Sequence, residues 1–330
     1  MLVGQKFTKN KDLVSTSWSS FQAVLTLSGA SLAQYLQAIA MREEEALQSL
    51  EPPKQIALLC GPKLYQPDTN RKLTAIGWYK QILDALLPED PAISAPRLWH
   101  NDLHDDNIFI DPKDPENITA IVDWQSCHLS PLFNHNPDPG FLGWDGLEPE
   151  TLDLVPKPDL SGLSPEERAA ALHSYSTTNV FIGWRMLMQK KNPDLYRAVE
   201  FRNTPALGLI FLAHRMFEYG EAIFLTILVD LQHSWAELPA VQPGTPFPFK
   251  FSEADVERIK SDGEGAVAGT EVISTAREEM GDLWPDKGLI EHERYDECRA
   301  ALKEIKKQLL DQLAKSEEER EAYERHWPFE

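Results

Sequence analysis

The sequence has little cysteine, and the few cysteines it has are far apart. Cys60, Cys127 and Cys298 are the three thiols of the 330-residue chain, and no two of them form a CxxC pair. Disulfide-stabilised small domains and structural zinc sites need closely grouped cysteines, so both classes are excluded. We interpret the thiols as reduced and incidental.

A long uninterrupted hydrophobic run is also missing. The most apolar stretch, residues 206–229, contains His214, Arg215, Glu218 and Glu221. A membrane-spanning helix needs about 20 predominantly apolar residues, so we interpret this stretch as a buried helix and expect no membrane span. The opening residues show no apolar core followed by a cleavage site, so we expect an intracellular protein.

Basic residues are in the minority. The chain has 32 Lys and Arg against 52 Asp and Glu, which gives a net charge of -20. Such a surface repels phosphate backbones and anionic lipid heads, so nucleic acid is not an expected partner. A cationic substrate would suit this charge, although an acidic surface more often serves solubility.

Helical patterns dominate the chain from residue 31 onward, whereas residues 1–30 show no clear periodicity. Two short β-type runs, 107–110 and 118–122, flank a loop of turn residues and predict one antiparallel hairpin. The fold class predicted is therefore α+β, mostly helical, with a small β-hairpin. The predicted helices are 31–50, 70–87, 165–189, 193–201, 205–235, 252–280 (broken at Gly263, Gly265 and Gly269) and 290–325.

The chemically informative residues lie at the open end of this hairpin. Residues 100–107 read His-Asn-Asp-Leu-His-Asp-Asp-Asn, and Asp123 follows the second run. An antiparallel hairpin places Asn107 beside Asp123, and an amide oxygen with a carboxylate suits Mg²⁺. Asp102 precedes the hairpin and could accept a hydroxyl proton as a general base. These are the parts that phosphoryl transfer needs.

The same residues resemble the catalytic loop and metal motif of aminoglycoside phosphotransferase-like proteins of the protein-kinase-like superfamily. Their pattern is H-x-D-x-x-x-x-N followed by D-F-G or D-W-x. By this resemblance Asp102 matches the catalytic base and His100, the second candidate catalytic residue, braces the loop. Asn107 and Asp123 match the magnesium ligands. Residues 98–133 are similar to a fungal branch that includes altered inheritance of mitochondria protein 9, which favours the mitochondrion over the cytoplasm.

The resemblance implies transfer of the γ-phosphoryl group of ATP to a hydroxyl of a small-molecule acceptor, with Mg²⁺ as cofactor. It also implies an irregular remnant at 1–30, a kinase-like C-terminal lobe at 31–250 and a helical extension at 251–330. Before His100 there is no glycine-rich loop and no Val-Ala-x-Lys strand. We therefore expect the strand-rich N-terminal lobe to be missing and ATP to bind weakly.

Three other interpretations stay open. A member of this family without its N-terminal lobe could act as a non-catalytic binding protein. His100, Asp102, His104 and Asp123 could instead form the zinc site of a metallohydrolase. Asp102, Asn107 and Asp123 could also belong to a turn rich in Asp and Asn that caps local backbone.

Overall fold

The structure, a computed structural model, describes residues 31–329 apart from 143, 145, 286 and 287. The predicted irregular segment 1–30 lies outside the described residues. The fold is α+β and mostly helical with small antiparallel sheets, as predicted. The chain divides into two units, one made of the described residues up to Leu87 together with those from Pro205 onward, the other of Pro88–Thr204.

Helices and strands are numbered in chain order. The helices are α1 (Leu32–Ser49), α2 (Thr69–Leu86), α3 (Pro91–Ser94), α4 (Pro165–Lys191), α5 (Pro193–Arg202), α6 (Pro205–Ala213), α7 (Met216–Tyr219), α8 (Ala222–Ser234), α9 (Glu253–Met280), α10 (Tyr295–Leu313) and α11 (Glu317–His326). The strands are β1 (Pro96–Trp99), β2 (Ile108–Asp111), β3 (Asp114–Ile121) and β4 (His128–Pro131).

The helix starts of the first unit follow from their capping residues. The Ser31 hydroxyl accepts a hydrogen bond from the Gln34 amide at 3.3 Å, and the Asp68 carboxylate accepts one from the Arg71 amide at 2.8 Å. Each cap satisfies an amide that the first helical turn leaves without a partner. The predicted helices 31–50 and 70–87 are confirmed as α1 and α2, which pack on each other.

The helix predicted over 205–235 is wrong as one element, because the chain folds as α6, α7 and α8. Gly220 ends α7 with φ 83°, a left-handed conformation that favours glycine. The next residue, Glu221, is buried and accepts a 2.5 Å hydrogen bond from the Tyr65 hydroxyl. The helix predicted over 290–325 is likewise divided, since Ser316 caps the start of α11.

Helix α9 is continuous, so the break predicted at its glycines is wrong. A Cβ atom on Gly265 would lie 2.8 Å from the backbone of Leu64 and Tyr65, and one on Gly269 would collide with the Leu59 carbonyl. The Leu59 amide donates to the Gly269 carbonyl at 3.1 Å. Here the glycines allow a neighbouring segment to approach the helix closely.

The second unit contains two two-stranded antiparallel sheets. Strands β2 and β3 form the predicted hairpin with Ile108 opposite Ile121, but β3 begins at Asp114, so the predicted loop 111–117 is too long. The β1–β4 pair, which sets Trp99 opposite His128, was not predicted. Among the described residues before His100, β1 is the one strand.

Candidate active site

The open end of the β2–β3 hairpin brings the candidate residues together. The Val122 amide donates to the Asn107 carbonyl at 3.0 Å, which places Asn107 next to the residue before Asp123. Asn107 ends a short 3₁₀ turn, Asp105–Asn107, that leads into β2. Antiparallel pairing therefore brings the backbone of Asn107 to Val122, the residue before Asp123.

The Asn107 side chain is buried and holds the preceding loop. Its amide nitrogen Nδ2 donates to the Asp102 carbonyl at 2.8 Å and lies 3.1 Å from Nε2 of His104. Both contacts use the nitrogen, so they leave the amide oxygen for a ligand. A hard cation such as Mg²⁺ prefers that kind of oxygen.

His100 connects the loop to the end of β3. Its ring is buried, and Nε2 lies 2.8 Å from the Val122 carbonyl, to which it donates. The edge of the ring meets the Trp124 indole, with centroids 4.9 Å apart at an interplanar angle of 68°. Val122 is thus bound by His100 through its carbonyl and by Asn107 through its amide, so the structure gives His100 a bracing contact.

The two carboxylates are accessible. The Asp102 side chain is 58% exposed, and its Oδ2 lies 3.9 Å from Nε2 of His104. Asp123 is exposed and has φ 62° and ψ 50°, a left-handed conformation that is uncommon outside glycine. Such backbone conformations concentrate at functional sites, where the surrounding structure holds them in place.

The zinc arrangement considered above does not form. Within the described ranges, one group of three potential metal ligands has its ligand atoms within 4.8 Å of one another, and it consists of His104, Asp105 and Asp106. His100, Asp102 and Asp123 are not in it. The side chains of Asp105 and Asp106 are 87% and 90% exposed, as is usual for a solvated loop.

A cavity of about 400 Å³ lies beside the loop. Asp102 and His100 line one side, and Trp99, Trp124 and Trp184 contribute aromatic walls. The segment from Asn136 to Gly140 completes the lining. The unpredicted β1–β4 pair therefore helps to shape the space next to the candidate base.

A buried ion-pair cluster supports this lining, and no sequence pattern predicted it. Arg185 on α4 is 2% exposed and donates to both oxygens of Asp138, at 2.5 and 2.9 Å. It also donates to both oxygens of Glu148, at 2.5 and 2.8 Å. The Trp184 indole donates to Asp138 at 3.1 Å. No local motif marks these residues, since tertiary folding alone brings them together.

Comparison with known proteins supports the kinase-like interpretation of this region. The model of the family described as "Phosphotransferase enzyme family" matches residues 27–134, a stretch that includes His100, Asp102, Asn107 and Asp123. Subtelomeric hrmA-associated cluster proteins from two strains of Aspergillus fumigatus are 21% identical to the chain over 287 residues.

That alignment covers 84% of this chain and 53% of each relative, so the chain spans about half the length of the curated relatives it matches. No solved structure gives a significant match. None of the described helices is long and apolar enough to cross a membrane. Residues 27–134, which include the hairpin, are thus similar to this phosphotransferase family.

Proposed function

We propose that the protein is a kinase-like phosphotransferase that moves the γ-phosphoryl group of ATP to a hydroxyl of a small molecule. Asp102 acts as the general base and His100 as the brace of its loop. Asn107 and Asp123 hold Mg²⁺. The observation that carries the proposal is the double contact at Val122, which fixes the loop of Asp102 and Asn107 against the residue before Asp123.

The donor set fits magnesium. Asp123 offers an exposed carboxylate, and Asn107 offers an amide oxygen whose nitrogen is already occupied. Mg²⁺ usually takes one or two protein oxygens and completes its coordination with water and phosphate oxygens. When bound, the ion supplies charge neutralisation for the phosphoryl group.

The protein's own part in the reaction is to orient the acceptor and to take a proton. The acceptor oxygen forms a bond to the γ-phosphorus, while the bond from that phosphorus to the β,γ-bridging oxygen breaks and ADP leaves. The hydroxyl proton goes to the Asp102 carboxylate. Because Asp102 is exposed toward the cavity and its backbone carbonyl is held by Asn107, it can meet a hydroxyl there without rearrangement of the loop.

The test is the substitution Asp102→Asn, assayed as ADP release from Mg-ATP with a pool of small alcohols. Loss of a general base lowers the rate by about 10²- to 10⁴-fold. Asp106→Asn is the matched control, because Asp106 is a carboxylate of the same loop that is 90% exposed. Equal turnover of the Asp102 variant and the parent would remove Asp102 from this role.

We further propose that this chain binds ATP weakly. A phosphate-covering sheet is a usual part of kinase nucleotide sites, and β1 is the one strand before His100 in the part of the chain that the structure describes. Calorimetry with Mg-ATP should give a Kd in the range of about 1 mM or weaker. Binding at about 1 μM would contradict this expectation.

The resemblance to the fungal branch adds a mitochondrial location to the proposal. Fluorescence microscopy of the protein tagged at its C-terminus tests this directly. Overlap with a mitochondrial marker is the expected result, and a diffuse cytoplasmic signal would contradict it.

A further inference from the structure

We infer that the acceptor is a neutral alcohol carrying a flat ring, bound in the cavity beside Asp102. The inference rests on the proposed function, because it takes Asp102 as the group that meets the acceptor hydroxyl. It is supported by the aromatic side chains that line the cavity and by the ion pair that holds the second carboxylate of the lining, Asp138.

The aromatic walls are held in place by their own contacts. Trp99 stacks on the ring of His135, with centroids 5.0 Å apart and an interplanar angle of 9°. The Trp184 indole is fixed by its hydrogen bond to Asp138, and the Trp124 indole nitrogen donates to the Ile121 carbonyl at 2.8 Å. Rings held in this way offer a pre-formed apolar surface, on which another ring gains stacking energy in addition to area burial.

Two carboxylates line the cavity, and one of them, Asp138, is already held in an ion pair. Both oxygens of Asp138 accept hydrogen bonds from the guanidinium of Arg185, and one also accepts from Trp184. Arg185 is buried, so solvent weakens this bidentate pair little. Of the carboxylates in the lining, Asp102 is therefore the one without an arginine partner.

This distribution of charge discriminates between classes of acceptor. A polycation gains from several free carboxylates, and the cavity lining offers it Asp102 alone. An acceptor that already carries a phosphate or carboxylate would meet the Asp102 charge, and the lining contains no Lys or Arg to compensate. A neutral alcohol avoids both penalties, because its ring packs on tryptophan and its hydroxyl reaches Asp102.

Binding without nucleotide tests the inference on the whole chain. The probes are tyrosol (4-(2-hydroxyethyl)phenol) as a neutral ring alcohol, kanamycin as a polycation and choline as a small cation without a ring. Saturation-transfer NMR and calorimetry should show tyrosol binding about tenfold or more tighter than either cation, because stacking and ring burial together exceed 1.4 kcal/mol.

Trp184→Leu should weaken tyrosol binding by about tenfold, because the stacking surface is lost. Tyr295→Leu, at an exposed aromatic residue of α10 in the other unit, is the matched control and should leave binding unchanged. Equal tyrosol binding by the parent and the Trp184 variant would overturn the assignment of this cavity.

Arg185 provides a second and independent test. Arg185→Met leaves Asp138 and Glu148 without their partner, so the preference for tyrosol over kanamycin should fall by about tenfold. The triple variant Arg185→Met, Asp138→Asn, Glu148→Gln removes the cluster's charges together and should regain the parent's preference. If the single variant does not fold, the triple variant still tests the inference. A preference of the triple variant for kanamycin over tyrosol would contradict a neutral ring alcohol as the acceptor.

The outcomes separate this inference from the function on which it rests. Tyrosol binding without formation of a phosphate ester from Mg-ATP would refute phosphotransfer and leave the cavity assignment standing. Phosphorylation of kanamycin or choline in preference to tyrosol would refute the neutral ring alcohol and leave phosphotransfer standing. Failure of tyrosol to bind the parent protein would refute the inference itself.

Discussion

His214 should make the stability of the protein fall as the pH drops below 6.5. Its ring is held edge-on to Tyr79, with Nε2 3.2 Å from the tyrosine hydroxyl. Burial, with a smaller contribution from the charges of Arg42 and Arg215, lowers the pKa of His214 from its ordinary 6.5 to about 3. The native state therefore keeps this imidazole neutral, whereas the unfolded chain protonates it.

The magnitude follows from proton linkage. A histidine whose pKa is depressed on folding contributes stability that is fully present above pH 6.5 and is lost progressively as the pH falls toward 3. Between pH 7.0 and pH 5.5 the loss for this one group is about 1.3 kcal/mol. Burial raises the pKa of Glu43 and Glu221, which act in the opposite direction, so His214 must be isolated by substitution.

The assay is urea unfolding at pH 7.0 and pH 5.5, both above the isoelectric point of about 4.9. The parent should lose about 1.3 kcal/mol more than His214→Gln over this interval, because the variant cannot take up the proton. His233→Gln, at an exposed histidine of α8, should behave like the parent. Equal losses in the parent and His214→Gln would refute the reasoning.

Two further substitutions test packing and bracing. Gly269→Ala should lower the free energy of unfolding by about 1–3 kcal/mol, because the new methyl group collides with the Leu59 carbonyl. Urea unfolding should show no such loss for Gly77→Ala on α2, where a Cβ meets open space. His100→Phe should lower the same free energy by about 1–3 kcal/mol, because the Val122 carbonyl loses its donor. The exposed His292→Phe should be near neutral in that measurement, and an equal effect of both histidine variants would argue against a brace.

The hairpin could be predicted because its signal is local. Asn107 and Val122 stand at the outer ends of two β-type runs joined by turn residues, so antiparallel pairing alone predicts their contact. The sequence pattern assigned too many residues to the turn. Proline and asparagine are rare in strands, and yet Pro115 and Asn117 lie within β3.

The features that the sequence did not reveal depend on tertiary contacts. Strands β1 and β4 are four residues each, begin or end with proline, and pair across a long separation. Arg185 meets Asp138 and Glu148 only after the second unit has folded. The predicted helix break at Gly265 was wrong for a related reason. A glycine that allows a neighbouring backbone to approach closely cannot be told from a helix-breaking glycine by sequence alone.

The most direct test of the central claim is whether Asn107 and Asp123 bind one divalent ion. In a ¹⁵N-labelled sample, Mn²⁺ in place of Mg²⁺ should broaden the side-chain amide signals of Asn107, assigned through their loss in Asn107→Ser. Asp123→Asn should abolish the broadening at low Mn²⁺ concentration, and Asp106→Asn should leave it intact. Broadening that survives Asp123→Asn and disappears with Asp106→Asn would place the ion on the exposed loop and contradict the proposed site.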